Sequence, residues 1–315
     1  MVRTGYNIYT SKSNENIQSF QEALQTFQLN WDVGLRPLFT QVSNEHGSEI
    51  LENHKAVVRL DTNKPLSVVG NRYVPTQNSN AEVGSLMDIV VKELGGKYTS
   101  GGSFHSGGKV YMQIELPDSI RVKQTDDIIK KYLLYSNSHD GSSQIALGNV
   151  MKRVVCLNTF YMATAEVPSE YRIRHTSNSE TRLKEIKDII LQTLNYYKEV
   201  EIKVNWLADQ KFTDLQMDLA LRKVFDVDVG LPLEDISTRT RNNLESVKDL
   251  FQSGVNQAGF YGTAWASLNA FTEFSNHSKT VKNDSVDKRT ESVLFGSSAS
   301  FNAKALRAIE SVLTA

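Results

Sequence analysis

Partway along this chain the hydrophobic rhythm changes, and few folds absorb such a change. From Lys109 to Leu116 it has a period of two. Val110, Met112, Ile114 and Leu116 fall on one face, and Lys109, Tyr111, Gln113 and Glu115 on the other. That is the pattern of a half-buried strand. From Leu183 the spacing becomes three and four, through Ile186, Ile190, Leu194 and Tyr197. That is an amphipathic helix, with Ser179 or Thr181 as its N-cap. Helical patterns recur from Asp214, Thr240, Thr263 and Asn302. The expected fold is therefore α+β: a mostly antiparallel sheet with packed helices, followed by a mainly helical C-terminal part. Its expected divisions are an N-terminal arm over 1–50, an α+β core over 51–180 and a helical region over 181–315.

Shorter signals fill in the core. The segment Trp31 to Phe39 alternates and carries Pro37, so it reads as an edge strand or extended arm, with a turn at Asn44 to Gly47. Strands are expected over Ala56–Leu60 and Leu66–Gly70, on either side of the turn residues Asp61 to Pro65. Val83, Leu86, Met87, Val90 and Leu94 mark a helix that Gly95-Gly96 ends. The sequences Gly101-Gly102-Ser103 and Gly107-Gly108-Lys109 lack the spacing of a phosphate loop and read as hairpin bends. His139-Asp140-Gly141-Ser142 is a hairpin turn between two strands, because Asp-Gly supplies positive φ at low cost. Arg153 to Leu157 is expected to extend the strands. The polar stretch 276–291 is expected to be a mobile loop.

The 315 residues carry 35 Lys and Arg against 36 Asp and Glu, a formal charge of -1. This balance excludes a uniformly basic nucleic-acid coat, while leaving room for a local basic face. Apolar runs are far shorter than the roughly 20 residues that span a bilayer, and with no apolar stretch behind the first residues no signal peptide is expected. The lone Cys156 cannot form an internal disulfide. A cytoplasmic protein without membrane contact is expected.

Catalytic and metal signatures are weak. Ser138, His139 and Asp140 hold the letters of a hydrolase triad, yet adjacent residues of an extended segment point opposite ways. Cys156 sits in an apolar run where cysteine is usually inert, which argues against a thiolate pair with His175. The six histidines are dispersed, without HExxH or CxxC spacing. Asp226 and Asp228 read as loop residues. We therefore expect no catalytic residue, no metal, no cofactor and no enzymatic activity.

What remains is a surface on which cations and aromatics interleave. The candidate nucleic-acid-binding residues are Lys109, Tyr111, Lys131, Tyr132, Lys152, Arg153, Arg172, Arg174, His175 and Arg182. Cations can track phosphates while rings stack on bases, at about 1–3 kcal/mol per base. Arg172, Arg174 and His175 also lie just before an expected helix, whose N-terminus adds positive potential.

Several motifs together resemble the phage/plasmid-like protein family, a domain of unknown function carried by bacteriophages and plasmids. They include Trp31-Asp32-Val33, Leu35-Arg36-Pro37-Leu38, Val58 to Thr62, Val69 to Tyr73 and Gln77-Asn78. Further along come Asn137 to Ser142, Arg153 to Thr159, Arg174-His175-Thr176, Gly262 to Trp265, Asn269-Ala270, Glu273-Phe274 and Leu294-Phe295-Gly296. The family pattern would place an acid before His277, where this chain has Asn276. The resemblance implies a mobile-element setting in DNA metabolism. The order of strands and helix from Tyr132 to Tyr197 is also similar to that of single-strand annealing proteins. The expected function is thus single-stranded DNA binding, with ATP-independent annealing by a homo-oligomer. The alternative is a counter-defence protein that binds a host factor or nucleotide signal.

Overall fold

A computed structural model of the chain describes residues 12–43, 47–162, 170–183, 193–279 and 285–315. Two antiparallel sheets organise it. The larger runs in the order β1-β5-β6-β7-β8-β10, with β9 attached to β8. Its strands are β1 (Lys12–Ile17), β5 (Lys97–Phe104), β6 (Lys109–Arg121), β7 (Ile128–Ser138), β8 (Ile145–Arg153), β9 (Thr159–Phe160) and β10 (Glu170–Ile173). The smaller sheet joins β2 (Val33–Ser43), β3 (Gly47–Arg59) and β4 (Lys64–Gly70). The helices are α1 (Phe20–Thr26), α2 (Ala81–Leu94), α3 (Thr193–Asp209), α4 (Asp214–Phe225), α5 (Thr238–Ser253), α6 (Ala264–Glu273), α7 (Val286–Phe295) and α8 (Ser297–Leu313). This is an α+β fold with a helical C-terminal part. No helix among the described residues is long and apolar enough to cross a membrane.

Local chemistry explains the elements that the spacing anticipates. Asn80 caps α2, its Oδ1 accepting from the Glu82 and Val83 amides at 3.0 Å each. Gly95 closes the helix in the left-handed region at φ 67°. In the β7–β8 connection Gly141 takes a φ of 72°. Pro37 sits on β2, an edge strand of the smaller sheet among the described residues, where a missing amide is tolerated.

The two faces of the large sheet are both covered. On one face Val110, Met112, Ile114, Leu133 and Tyr135 join the cluster that holds Phe20 and Leu24 of α1 and Val83, Leu86 and Val90 of α2. On the other, Tyr111, Tyr132, Leu134 and Val150 pack with Val293 and Leu294 of α7. The half-buried reading of β6 is therefore corrected: α7 closes the face that alternation left to solvent. The main cluster also runs from Ile17 to Val312, so the three expected segments share one core.

Two further expectations change. Residues 154–156 turn away after β8 rather than continuing it, since the Arg153 amide binds back to the Asn158 carbonyl. The stretch expected to be a mobile loop overlaps a π-helical turn at Phe274–Ser278 and the first part of α7, and its residues 280–284 lie outside the described residues. Buried Asn276 donates to the Thr159 carbonyl at 2.9 Å, and buried Arg289 donates to the Asn276 carbonyl at 3.0 Å. Polarity there serves internal hydrogen bonds. Residues 186 and 190 of the expected long helix and residues 44–46 of the expected turn lie outside the described residues.

Candidate functional site

One row of side chains crosses four neighbouring strands. Tyr111 of β6 stands opposite Ser136 of β7, Ser136 opposite Ala146 of β8, and Ala146 opposite Arg172 of β10. The row reads large, small, small, large. Strands lie about 4.8 Å apart, so two small residues leave a trough roughly 10 Å wide. The ends of α7 and α8 roof it without filling it. The result is a cleft of about 420 Å³, lined by Lys109, Ser136, Ser142, Ser143, Gln144, Ala146, Tyr161, Arg172, Leu294 and Phe295, with Ala299, Ser300 and Ala303 of α8.

The lining divides by chemistry. Lys109 and Arg172 bring two cations from different strands to one cavity. The Lys109 ammonium lies 3.5 Å from Glu291 Oε1 and 5.2 Å above the Phe295 ring. Glu291 also binds exposed His105 at 3.0 Å, so a charge chain leads from solvent to the cleft mouth. The rim loop is held by Asp140, which accepts from the Ser138 hydroxyl at 2.7 Å and the Ser142 amide at 2.9 Å. Burial alone would raise the Asp140 carboxyl. The Ser142 and Ser138 bonds and the Lys109 charge outweigh it and hold the carboxyl below its ordinary range. Apolar and aromatic groups complete the lining, with Tyr161 fixed by a 2.7 Å bond from its hydroxyl to the Leu294 carbonyl. Two cations, hydroxyls and aromatic rings gathered in one cleft suit a phosphate joined to a flat, apolar-faced group.

The expected binding residues separate sharply on this frame. Lys109 and Arg172 meet at the cleft, and Arg174 and Arg182 are exposed just beyond β10. Lys131 is half-buried beside the Tyr197 ring, and burial lowers its pKa. The other five are core residues, and their reading as a surface is corrected. Tyr111 is fully buried and stacked on Phe104 with centroids 5.3 Å apart. Tyr132 is buried and donates to Glu115 Oε2 at 3.0 Å. Arg153 is 2% exposed and bound to Asp127 at 2.7 Å, while Lys152 is buried in the same strand. His175 is buried against the Tyr73 ring at 5.0 Å. Charge and aromaticity alone do not separate a solvated strand from one covered by a distant helix. Ser136, Ser142, Ser143, Gln144, Tyr161 and Phe295 were missed as site residues; the pairing of small residues on β7 and β8 was the available signal.

The turn triplet forms no relay. The Ser138 hydroxyl binds Asp140, whereas His139 faces away, with Nε2 2.9 Å from Asn78 Oδ1 and its ring edge-on to Trp31 at 5.5 Å. Gly141 lies at the exposed tip. Burial, then the neighbouring His175, push His139 down to about 4, and burial does the same to His175. Cys156 lies apart, beside Arg153, and burial pushes its thiol up to about 11. Among the described residues no group of three or more His, Cys, Asp or Glu is placed to hold a metal ion.

A family model described as a domain of unknown function (DUF932) matches residues 65–294. No curated protein and no solved structure matches the chain.

Proposed function

From the premise that the chain belongs to the DUF932 family, we propose that it is a single-stranded DNA-binding protein of a phage or plasmid. It works in the host cytoplasm, in DNA recombination, as a self-associating, ATP-independent annealing protein. The mobile-element setting is drawn from the sequence resemblance. Support for DNA binding is the cleft, whose lining brings Lys109 and Arg172 together with serine hydroxyls and the rings of Phe295 and Tyr161. Arg174 and Arg182 are also exposed in the segment that follows β10. A duplex is too wide for such a trough, whereas a strand with one unstacked nucleotide suits it.

The test is a binding titration of single-stranded oligonucleotides over a salt series. Affinity should fall steeply as salt rises, because phosphate contacts release counterions. Replacing Lys109 and Arg172 together by Ala should weaken binding equally for all sequences, and should lower the log–log salt slope by about two, one per lost phosphate contact. Absence of binding at low salt defeats the proposal.

The size of the open cleft favours one second reading, a protein that binds a free nucleotide signal in counter-defence. About 420 Å³ is room for a single nucleotide. Calorimetry with mononucleotides separates the two: tight mononucleotide binding with no gain on lengthening the strand selects the signal reading.

A further inference from the structure

The cleft carries its own obstacle to a phosphate. Its lining cations are Lys109 and Arg172, and two carboxylates stand beside Lys109. Glu291 lies 3.5 Å from the ammonium. The Lys109 charge also acts on Asp140, whose Oδ2 lies over the neighbouring Gly108. Counting these four groups, the charges cancel, and the resting cleft offers an anion little net attraction. The Lys109 and Glu291 side chains are only 13% and 22% exposed, so water and salt screen the pair weakly. A phosphate reaches Lys109 only where one of the carboxylates gives way.

The two carboxylates are held differently. Asp140 is tied into the β7–β8 turn by the Ser138 hydroxyl and the Ser142 amide, so its release would undo the turn. Glu291 stands within α7, where a side-chain rotation leaves the helix intact. It already has a second partner, the His105 imidazole at 3.0 Å, whose side chain is 58% exposed. The backbone that presents His105 is strained. His105 and Ser106 take φ values of 54° and 61°, the left-handed region that residues other than glycine seldom occupy. Bonds from outside the turn hold that shape: Lys64 donates to Ser106 Oγ at 2.8 Å, and Arg59 donates to the Ser106 carbonyl at 3.3 Å.

We propose that Glu291 is a built-in competitor for the ligand phosphate: it occupies Lys109 in the free chain and turns to His105 alone when a phosphate enters. The exchange puts one anion in place of another, so the ammonium is never left buried and unpaired. It also makes the cleft selective. An anion that meets Lys109 alone, such as chloride, has to displace Glu291 for no further gain. A phosphate group has several oxygens and reaches Arg172 as well, which offsets the lost ion pair. The inference rests on the phosphate reading of the cleft and adds the residue that regulates it.

A double-mutant cycle tests the exchange, read by fluorescence anisotropy of a short labelled oligothymidylate at low salt. Glu291→Gln should tighten binding about three- to tenfold, the range of one partly buried ion pair. In a Lys109→Ala background the same substitution should change affinity less than about twofold, because no ammonium remains to be released. A gain of equal size in both backgrounds makes Glu291 a general negative charge and overturns the exchange, as does a loss or no change with Lys109 present. His105→Ala should weaken binding while Glu291 is present and change nothing in the Glu291→Gln chain; equal effects in the two overturn the part given to His105. If circular dichroism shows Glu291→Gln unfolded, Glu291→Ala takes its place with the same expected outcomes. Calorimetry of the same variants with thymidine monophosphate distinguishes a strand phosphate from that of a free nucleotide, since the gain follows whichever phosphate enters. Salt-dependent DNA binding that ignores Glu291→Gln removes the exchange and leaves the DNA reading standing, whereas no binding by either chain defeats both.

Discussion

Asp127 shows how one side chain can carry a function that charge counting assigns elsewhere. It accepts from Arg153 Nε at 2.7 Å and from the Trp265 indole at 2.9 Å, so strand ends and α6 meet on a single carboxylate. Arg153 also donates to Gln257 Oε1 at 3.2 Å. Replacing Arg153 with Met should cost about 3–5 kcal/mol, because it strands a buried charge. Urea unfolding measures this, and Arg153→Met with Asp127→Asn should recover part of the loss. Buried His139 and His175 and half-buried His277 set a second expectation. His139, His175 and His277 are each held near 4 by burial, against 6.5 when unfolded. The native state thus binds fewer protons, and stability must fall as pH drops from 6.5 toward 4. About 1 kcal/mol per histidine should be lost between pH 6.5 and 5.5, and His139→Gln should flatten the urea-midpoint profile by its share. The sequence told that Cys156 would be buried and that His139-Asp140-Gly141 would turn. It hid the core role of Arg153, because Asp127 and Trp265 lie 26 and 138 positions from their partners.

At the level of elements, legibility follows the range of the forces involved. Helix α2 was readable because its cap, its apolar stripe and its terminating glycine all lie within sixteen residues. Asn80→Ala should cost about 1 kcal/mol, read as a lower urea midpoint. The hairpins were readable for the same reason. The cleft was not, since it needs Ser136 and Ala146 side by side under helices more than 140 positions away. Filling it tests its importance directly. Ala146→Trp should abolish oligonucleotide binding, with an overpacking cost of about 1–3 kcal/mol that leaves the protein folded. Glycine on β5 marks another long-range demand. A Cβ at Gly101 would stand 2.5 Å from the Phe27 ring, so Gly101→Ala should displace α1 and destabilise the fold, visible as a lower melting temperature.

Across the whole molecule, the change of rhythm near residue 180 marks a change of element type rather than of cooperative unit. Ile17 near one end and Val312 near the other belong to one apolar cluster, and α7 covers the sheet face that alternation left to water. A chain ending at residue 180 should therefore lack native tertiary structure, with poor amide dispersion by NMR and exposed apolar surface by dye binding. The Asp127 carboxylate adds a consequence in time. During synthesis β7 and β8 leave the ribosome more than a hundred residues ahead of Trp265. Until α6 arrives the anchor between sheet and helices is incomplete, and until α7 follows the second sheet face is bare. The nascent protein must wait, partly ordered and chaperone-accessible, for its own last third.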